Sequence, residues 1–98
     1  MSYSIVFHIE AKKELDSFDN SVKLIILKQI KKLEIQPELG KFLGNKDGMD
    51  LTGYRKLYAL QKKIRIIYRI IEDRIEIQII SINKRDKLLA YKNAFERI

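Results

Sequence analysis

The side chains whose types could do chemistry here are cations and one phenol: Arg55 and Lys56, then Arg65, then Lys84 and Arg85, then Tyr91. A guanidinium offers planar, forked donors that match phosphate oxygens, and it does not lose its proton. Cations stabilise the extra negative charge of a pentavalent phosphate. One of them can protonate a leaving oxygen, and a tyrosine can stack on a base or orient a phosphate. The set therefore suits cleavage of an RNA strand without histidine. Plainer readings stand beside this one. Arg65 and Arg69 can pair with Glu76 across a hairpin, which contributes little to stability. Tyr91 can be a core residue on an apolar helix stripe. Lys84 and Arg85 can begin a helix, although cations are poorly placed at a helix N-terminus. Tyr54, Tyr58 and Tyr68 are assigned to packing.

Other chemistries are excluded by composition. The chain has no cysteine and a single histidine, His8, read as an ordinary strand residue. Disulfides, thiolate nucleophiles and serine–histidine–aspartate sets are ruled out, and no metal-ligand cluster is visible. The glycines are too widely spaced to cradle a phosphate. No apolar run approaches the roughly 20 residues needed to cross a bilayer. The N-terminal residues lack the pattern of a signal peptide, so a cytoplasmic protein is expected. The 98 residues suit one domain, 1–98. The formal net charge of +7 is carried wholly by residues 51–98, which hold every arginine, while residues 1–50 sum to zero. Such asymmetry suggests a polyanion-binding face.

The elements that must position these residues are legible as patterns. Residues 2–7 alternate as a strand with Tyr3, Ile5 and Phe7 on one face. Residues 10–16 read as a short helix. Asp19 or Asn20 can cap a second one, whose stripe is Val22, Ile25, Ile26, Gln29, Ile30 and Leu33. Pro37 stops it, and the two helices form an antiparallel hairpin. A loop-rich stretch with Gly40, Gly44, Gly48 and Gly53 leads to three β-rich segments, 53–60, 64–71 and 75–82. Turns at 61–63 and 72–74 join them into an antiparallel meander. Asn83 or Asp86 can start a short final helix.

Strand parity places Ile64, Ile66, Tyr68 and Ile70 on one face and Arg65, Ile67, Arg69 and Ile71 on the other. In the third strand Ile75, Ile77 and Ile79 oppose Glu76, Gln78, Ile80 and Ile82. The helical hairpin should cover the Ile64/Ile66/Ile77/Ile79 face. The opposite face should be wet and basic, with Arg55 beside Arg65 and Arg69. The expectation is an α+β fold.

The stretches Asp50–Leu57, Ile64–Tyr68, Ile80–Asp86, Ala90–Tyr91 and Phe95–Ile98, with Phe7 and Ala11–Leu15, resemble the RelE group of the RelE/ParE toxin superfamily over nearly the whole chain. The resemblance implies an N-terminal helical hairpin packed on one face of a curved antiparallel sheet, with a short C-terminal helix. It implies a type II toxin that enters the ribosomal A site and cuts messenger RNA without metal or cofactor. The 2′-hydroxyl attacks the adjacent phosphate in line. It also implies a cognate antitoxin, with a toxin–antitoxin hetero-oligomer as the natural assembly. By position, Arg65 resembles the arginine that stabilises the transition state, Arg85 the candidate general acid, and Tyr91 the tyrosine that stacks on or orients the substrate. Arg55 lies where a phosphate-facing cation is frequent, and Lys56, Arg69, Lys62 and Lys63 extend the RNA-binding set. The sequence departs at Leu57, where members can carry a basic residue as candidate general base. Lys84, Lys62 or Lys63 is the expected substitute, with a pKa lowered by nearby arginines. Two rival readings are a ParE-like gyrase inhibitor and a RelE homologue that only binds antitoxin or RNA, the latter suggested by Leu57.

Overall fold

A computed structural model describes residues 2–98; Met1, the first residue of the expected domain, lies outside them. Strand β1 (Ser4–Phe7) leads into α1 (Ile9–Ser17) and α2 (Asn20–Lys31), and a 3₁₀ turn (Lys32–Glu34) closes the helical hairpin. His8 is not a strand residue. It turns the chain from β1 into α1, accepting from the Glu10 N–H through its Nδ1 at 3.1 Å and donating its own N–H to Ile79. Asp19 caps α2 by accepting from the Val22 N–H at 3.0 Å. The buried stripe of the hairpin is Ala11, Leu15, Ile26, Ile30 and Leu33, while Ile25 is exposed. One step along a helix turns about 100°, and with Ile26 and Ile30 aimed at the sheet Ile25 falls outside the contact.

After a loop come β2 (Lys41–Phe42), the small hairpin β3 (Asn45–Lys46) and β4 (Met49–Asp50), then β5 (Tyr54–Ala59), β6 (Ile64–Ile71), β7 (Glu76–Lys84) and α3 (Leu89–Glu96). The β3–β4 turn puts both Asp47 and Gly48 at positive φ, the geometry that matches strand twist in a two-residue hairpin. The meander β5–β6–β7 forms as the alternation predicts. Two further strands extend it to the order β1-β7-β6-β5-β2, with β1 parallel to β7 and every other pair antiparallel.

The β6–β7 ladder contains a bulge. Ile67 pairs with Ser81 and Tyr68 with Ile79, so Ile80 is an extra residue. A bulge bends the strand and shifts parity beyond it. Ile82 therefore joins Ile77 and Ile79 in the core beneath the helical hairpin, whereas simple alternation had put it with Ile80. Ile80 remains on the opposite side.

That opposite side is not simply wet. Leu43, Leu51, Tyr54, Ile67, Ile80, Ala90, Tyr91 and Ala94 make a second, smaller core there, closed by α3 and the segment around β3 and β4. Helix α3 starts after the Arg85–Leu88 loop without a side-chain cap, and Asn83 lies inside β7. The anchor of α3 is instead at its far end. Arg97 makes a two-pronged ion pair with Glu14 of α1, each contact 2.8 Å. The same carboxylate accepts from the Ile82 N–H and from Asn83 and Asn93.

Candidate functional site

Two buried polar residues lie against the second core: Ser81, which donates to the Ala90 carbonyl at 2.9 Å, and Arg65. Arg65, near the start of β6, is only 6% exposed. Its guanidinium carbon lies 4.3 Å from the centre of the Tyr91 ring and 5.8 Å from that of Tyr58. One terminal nitrogen donates to the Lys87 carbonyl at 3.2 Å, and Nε is buried without a partner among the described residues. No carboxylate among the described residues pairs with it. A buried cation is normally matched by a carboxylate, because desolvation otherwise costs several kcal/mol. Two aromatic faces offset part of that penalty through their quadrupoles. The remaining directional capacity points to an anion supplied from outside.

More cations stand around this floor. Lys56 pairs with Ile67 across β5 and β6 and so projects on the Arg65 side, its ammonium 5.4 Å from the Tyr58 ring. The Arg85 guanidinium lies 5.3 Å from the same ring. Lys46 of β3 sits 5.7 Å from the Tyr91 ring. Lys41 of β2 is directly opposite Lys56 in the ladder. Like charges facing each other across a sheet are destabilising, and none of these cations has an ion-pair partner among the described residues. The Lys63 carbonyl accepts from the Arg85 N–H at 2.8 Å, which ties the β5–β6 turn to the loop after β7. Leu60, Gln61 and Lys62 in that turn all have positive φ, a constrained backbone for residues with side chains. A cleft of about 170 Å³ runs between Lys41, Lys56, Tyr58 and Lys62. A groove of about 520 Å³ continues past Lys62, Lys63 and Arg85.

Of the residues singled out by sequence, Arg65, Arg85, Tyr91 and Lys56 come together, and Lys62 and Lys63 line the adjoining grooves. Three do not join them. Arg55 pairs with Tyr68, so it projects on the helical-hairpin side, away from Arg65. It stacks 3.7 Å from the Phe42 ring and donates to the carbonyls of Gly40 and Glu38. Lys84 pairs with Ile64 and projects on the hairpin side; it lines the outer groove with Lys62, Lys63 and Arg85 but does not reach the aromatic floor around Arg65. Arg69 shares the face of Arg65 but is held by Gln78 at 2.6 Å and lies over Tyr54. The reversal between Arg55 and Lys56 also relocates Leu57. It is 6% exposed, with its side chain in the hairpin-side core, and it contributes to the back of the basic cleft as an apolar lining residue only.

Sequence reasoning missed Tyr58, Lys41 and Lys46. Tyr58 had been assigned to packing, yet it is only partly buried, directly opposite Arg65 and between three cations. Its two-residue spacing from Lys56 was the available signal, since i and i+2 share a strand face. Partial burial works against ionisation of its phenol. The approach of Arg65 and then of Lys56 outweighs this and draws its pKa below the ordinary tyrosine value.

A larger cavity, about 610 Å³, lies on the other side of the sheet, between the helical hairpin and the end of β7. Its half-buried acid, Glu14, is already engaged by Arg97, Ile82, Asn83 and Asn93. Among the described residues no group of three or more histidine, cysteine, aspartate or glutamate side chains could hold a metal ion. No helix among them is long and apolar enough to cross a membrane.

No protein-family model matches the chain. A double arginine-to-alanine mutant of the Escherichia coli toxin RelE, solved in the free state, superposes with a TM-score of 0.80 at 24% identity, covering 100% of this chain and 99% of that one. The fold is the RelE fold. The toxin–antitoxin complex RelBE2 of Mycobacterium tuberculosis matches with a TM-score of 0.70 at 21% identity, over 87% of this chain and 100% of that one. The archaeal RelE–RelB complex of Pyrococcus horikoshii gives 0.64 at 21%, over 89% and 99%. By sequence, a putative RelE-like toxin protein of Escherichia coli is 24% identical over 101 residues, spanning 100% of this chain and 99% of the relative. In the RelE fold of this chain, the cleft with Arg65 at its floor lies on the sheet face opposite the helical hairpin.

Proposed function

We propose that this protein is the toxin of a type II toxin–antitoxin pair and that it cleaves messenger RNA in the ribosomal A site. The observation that carries the reading is Arg65: a buried guanidinium between two phenols, with an unpartnered Nε and no carboxylate beside it among the described residues. Such a group is preorganised for a phosphate whose negative charge grows in the transition state. The ribose 2′-oxygen attacks the neighbouring phosphorus. The bond to the 5′-oxygen breaks in line, leaving a 2′,3′-cyclic phosphate and a free 5′-hydroxyl. Arg65 and Lys56 face the non-bridging oxygens. Arg85, at the mouth of the cleft, donates a hydrogen bond to the leaving oxygen, which takes its proton from water. Tyr91, buried in the second core rather than open to a substrate base, fixes Arg65 from below. Lys41, Lys46, Lys62 and Lys63 hold the flanking phosphates, which makes binding strongly salt-dependent.

The toxin assignment draws on the sequence relative named as a RelE-like toxin and on RelE folds solved together with antitoxins. By the same analogy the partner is a cognate antitoxin that blocks the cleft, and the cell compartment is the cytoplasm. Leu57 had suggested a homologue that only binds. Its side chain packs in the hairpin-side core, so a base for the reaction is sought at another position of the cleft.

The test is a cell-free translation reaction in which message ends on stalled ribosomes are mapped. Wild type produces new ends at A-site codons, and Arg65→Ala does not. Intact messages with the wild type present would overturn the proposal, and gyrase inhibition in a parallel supercoiling assay would then favour the ParE-like reading.

A further inference from the structure

An in-line attack needs a group that removes the proton of the 2′-hydroxyl, and the expected substitutes for a base at Leu57 do not meet the need. Lys84 projects on the hairpin side and lines the outer groove, not the cleft beside Tyr58. Lys62 and Lys63 sit in the exposed turn rather than beside Arg65. His8 is spent capping α1. Among the described residues no carboxylate lines the cleft beside Lys41, Lys56, Tyr58 and Lys62. The groups beside Arg65 with an oxygen that could serve are the phenols of Tyr58 and Tyr91. Tyr91 is 3% exposed and stacked on Arg65. Tyr58 is partly exposed on the cleft wall.

Resting on the ribonuclease reading above, we propose that Tyr58 is the general base of the cleavage step. Charged groups face it from each neighbouring element: Lys56 on its own strand, Arg65 from β6 and Arg85 from the loop after β7, with Lys62 beyond the end of β5. All are cations, so the field favours the phenolate over the phenol. The lowered pKa of Tyr58 is the expression of that field. In the reaction the phenolate oxygen takes the 2′-hydroxyl proton as the 2′-O–P bond forms. The P–O5′ bond breaks, and the leaving oxygen, hydrogen-bonded by Arg85, receives a proton from water. Tyr58 ends as neutral phenol and regains its phenolate by releasing that proton to solvent. The phenol of Tyr58 and the guanidinium of Arg65 come from directly paired residues of adjacent strands, so base and phosphate clamp are held in fixed relation by the sheet itself.

A rival role for Tyr58 is a stacking platform for a base, and phenylalanine separates the two because it keeps the ring and loses the proton acceptor. Single-turnover cleavage of message on stalled ribosomes, followed across pH, is the experiment. Tyr58→Phe is expected to slow cleavage by about 10²–10⁴-fold, the usual worth of a positioned acid or base, with ribosome binding and thermal midpoint unchanged. The wild-type rate should rise with pH until the phenol is ionised. Tyr58→Phe should flatten that rise, and a fluorotyrosine at position 58 should move it to lower pH. A Tyr58→Phe protein that cleaves within a few-fold of wild type, or that keeps the wild-type pH profile, overturns the assignment and leaves the ribonuclease reading standing. Wild type that makes no cuts overturns both.

Discussion

Two guanidiniums lie largely out of water, and they are treated in opposite ways. Arg97 is joined to Glu14 by two contacts of 2.8 Å and also reaches the Ile80 carbonyl at 2.8 Å. The carboxylate is satisfied in turn by Ile82, Asn83 and Asn93. This corner is a finished network that binds α1, β7 and α3 together. Arg65, on the same side as the underside of α3, has two aromatic rings, one carbonyl and an idle Nε. The contrast separates structure from function. A buried charge that serves the fold is neutralised within the chain, and one that serves a ligand is left incomplete. The wall of cations around Arg65, including Lys41 facing Lys56, belongs with the second kind.

The comparison can be broken most sharply at the two arginines. Arg65→Met is expected to lower message cleavage by at least about 10²-fold, the scale of a lost transition-state donor. Its thermal midpoint should hold or rise, since an uncompensated buried cation is replaced by an apolar chain. A midpoint that falls as far as that of an Arg97 variant would erase the distinction. Glu14→Ala is expected to destabilise the protein by about 3 kcal/mol in denaturant melts, because it strands Arg97 and the donors of Ile82, Asn83 and Asn93. Cleavage should fall with it only to the extent that α3, and with it Tyr91, loosens.

Acid sharpens the same contrast. Burial alone would raise the Glu14 carboxyl. Arg97, the Ile82 N–H and Asn83 together hold it below the ordinary glutamate value of 4.5. In the unfolded chain that value is restored. The stabilisation is therefore complete above about pH 4.5 and drains away as pH falls through the lowered native pKa. Stability measured against pH should lose this part of its acid limb in Glu14→Gln. Arg65 variants should keep it, since no carboxylate is coupled to Arg65.

A smaller effect tests how the cleft wall is held. A Cβ at Gly40 would sit 2.6 Å from the Lys56 carbonyl oxygen and 2.7 Å from the Tyr68 ring. The Tyr68 hydroxyl accepts from the Gly40 N–H and donates to the Pro37 carbonyl. Gly40→Ala is expected to destabilise by about 1–3 kcal/mol, as overpacking does, and to weaken RNA binding by displacing β5. Calorimetry and a binding titration read the two parts separately. Smallest of all, Arg74→Ala removes an exposed cation 4.0 Å from Glu76. It should change stability by less than about 0.5 kcal/mol and leave cleavage unaltered.

Much of this architecture could be read before any coordinates, because it is local. Alternation marked β5, β6 and β7, and Asp19 capped α2 as its position suggested. The concentration of charge in residues 51–98 announced a polyanion face. Arg65, Arg85 and Tyr91 were identifiable as partners through resemblance; the structure puts Arg65 against Tyr91 and both arginines beside Tyr58. The second core on the basic face was harder to foresee. Its members come from β3–β4, the meander and α3, and no single segment shows that they meet.

Within each strand, residue type and period two settled which neighbours share a face. What they could not settle was how one strand's parity relates to the next. Side-chain direction reverses with every residue, so a one-residue change of pairing exchanges the two faces. Tertiary pairing alone put Arg55 opposite Tyr68 and Lys56 opposite Ile67. The bulge at Ile80 alone returned Ile82 to the helical side. Those two choices, made by hydrogen bonds between distant segments, turned an arginine out of the cleft, admitted a lysine and set a tyrosine among the cations.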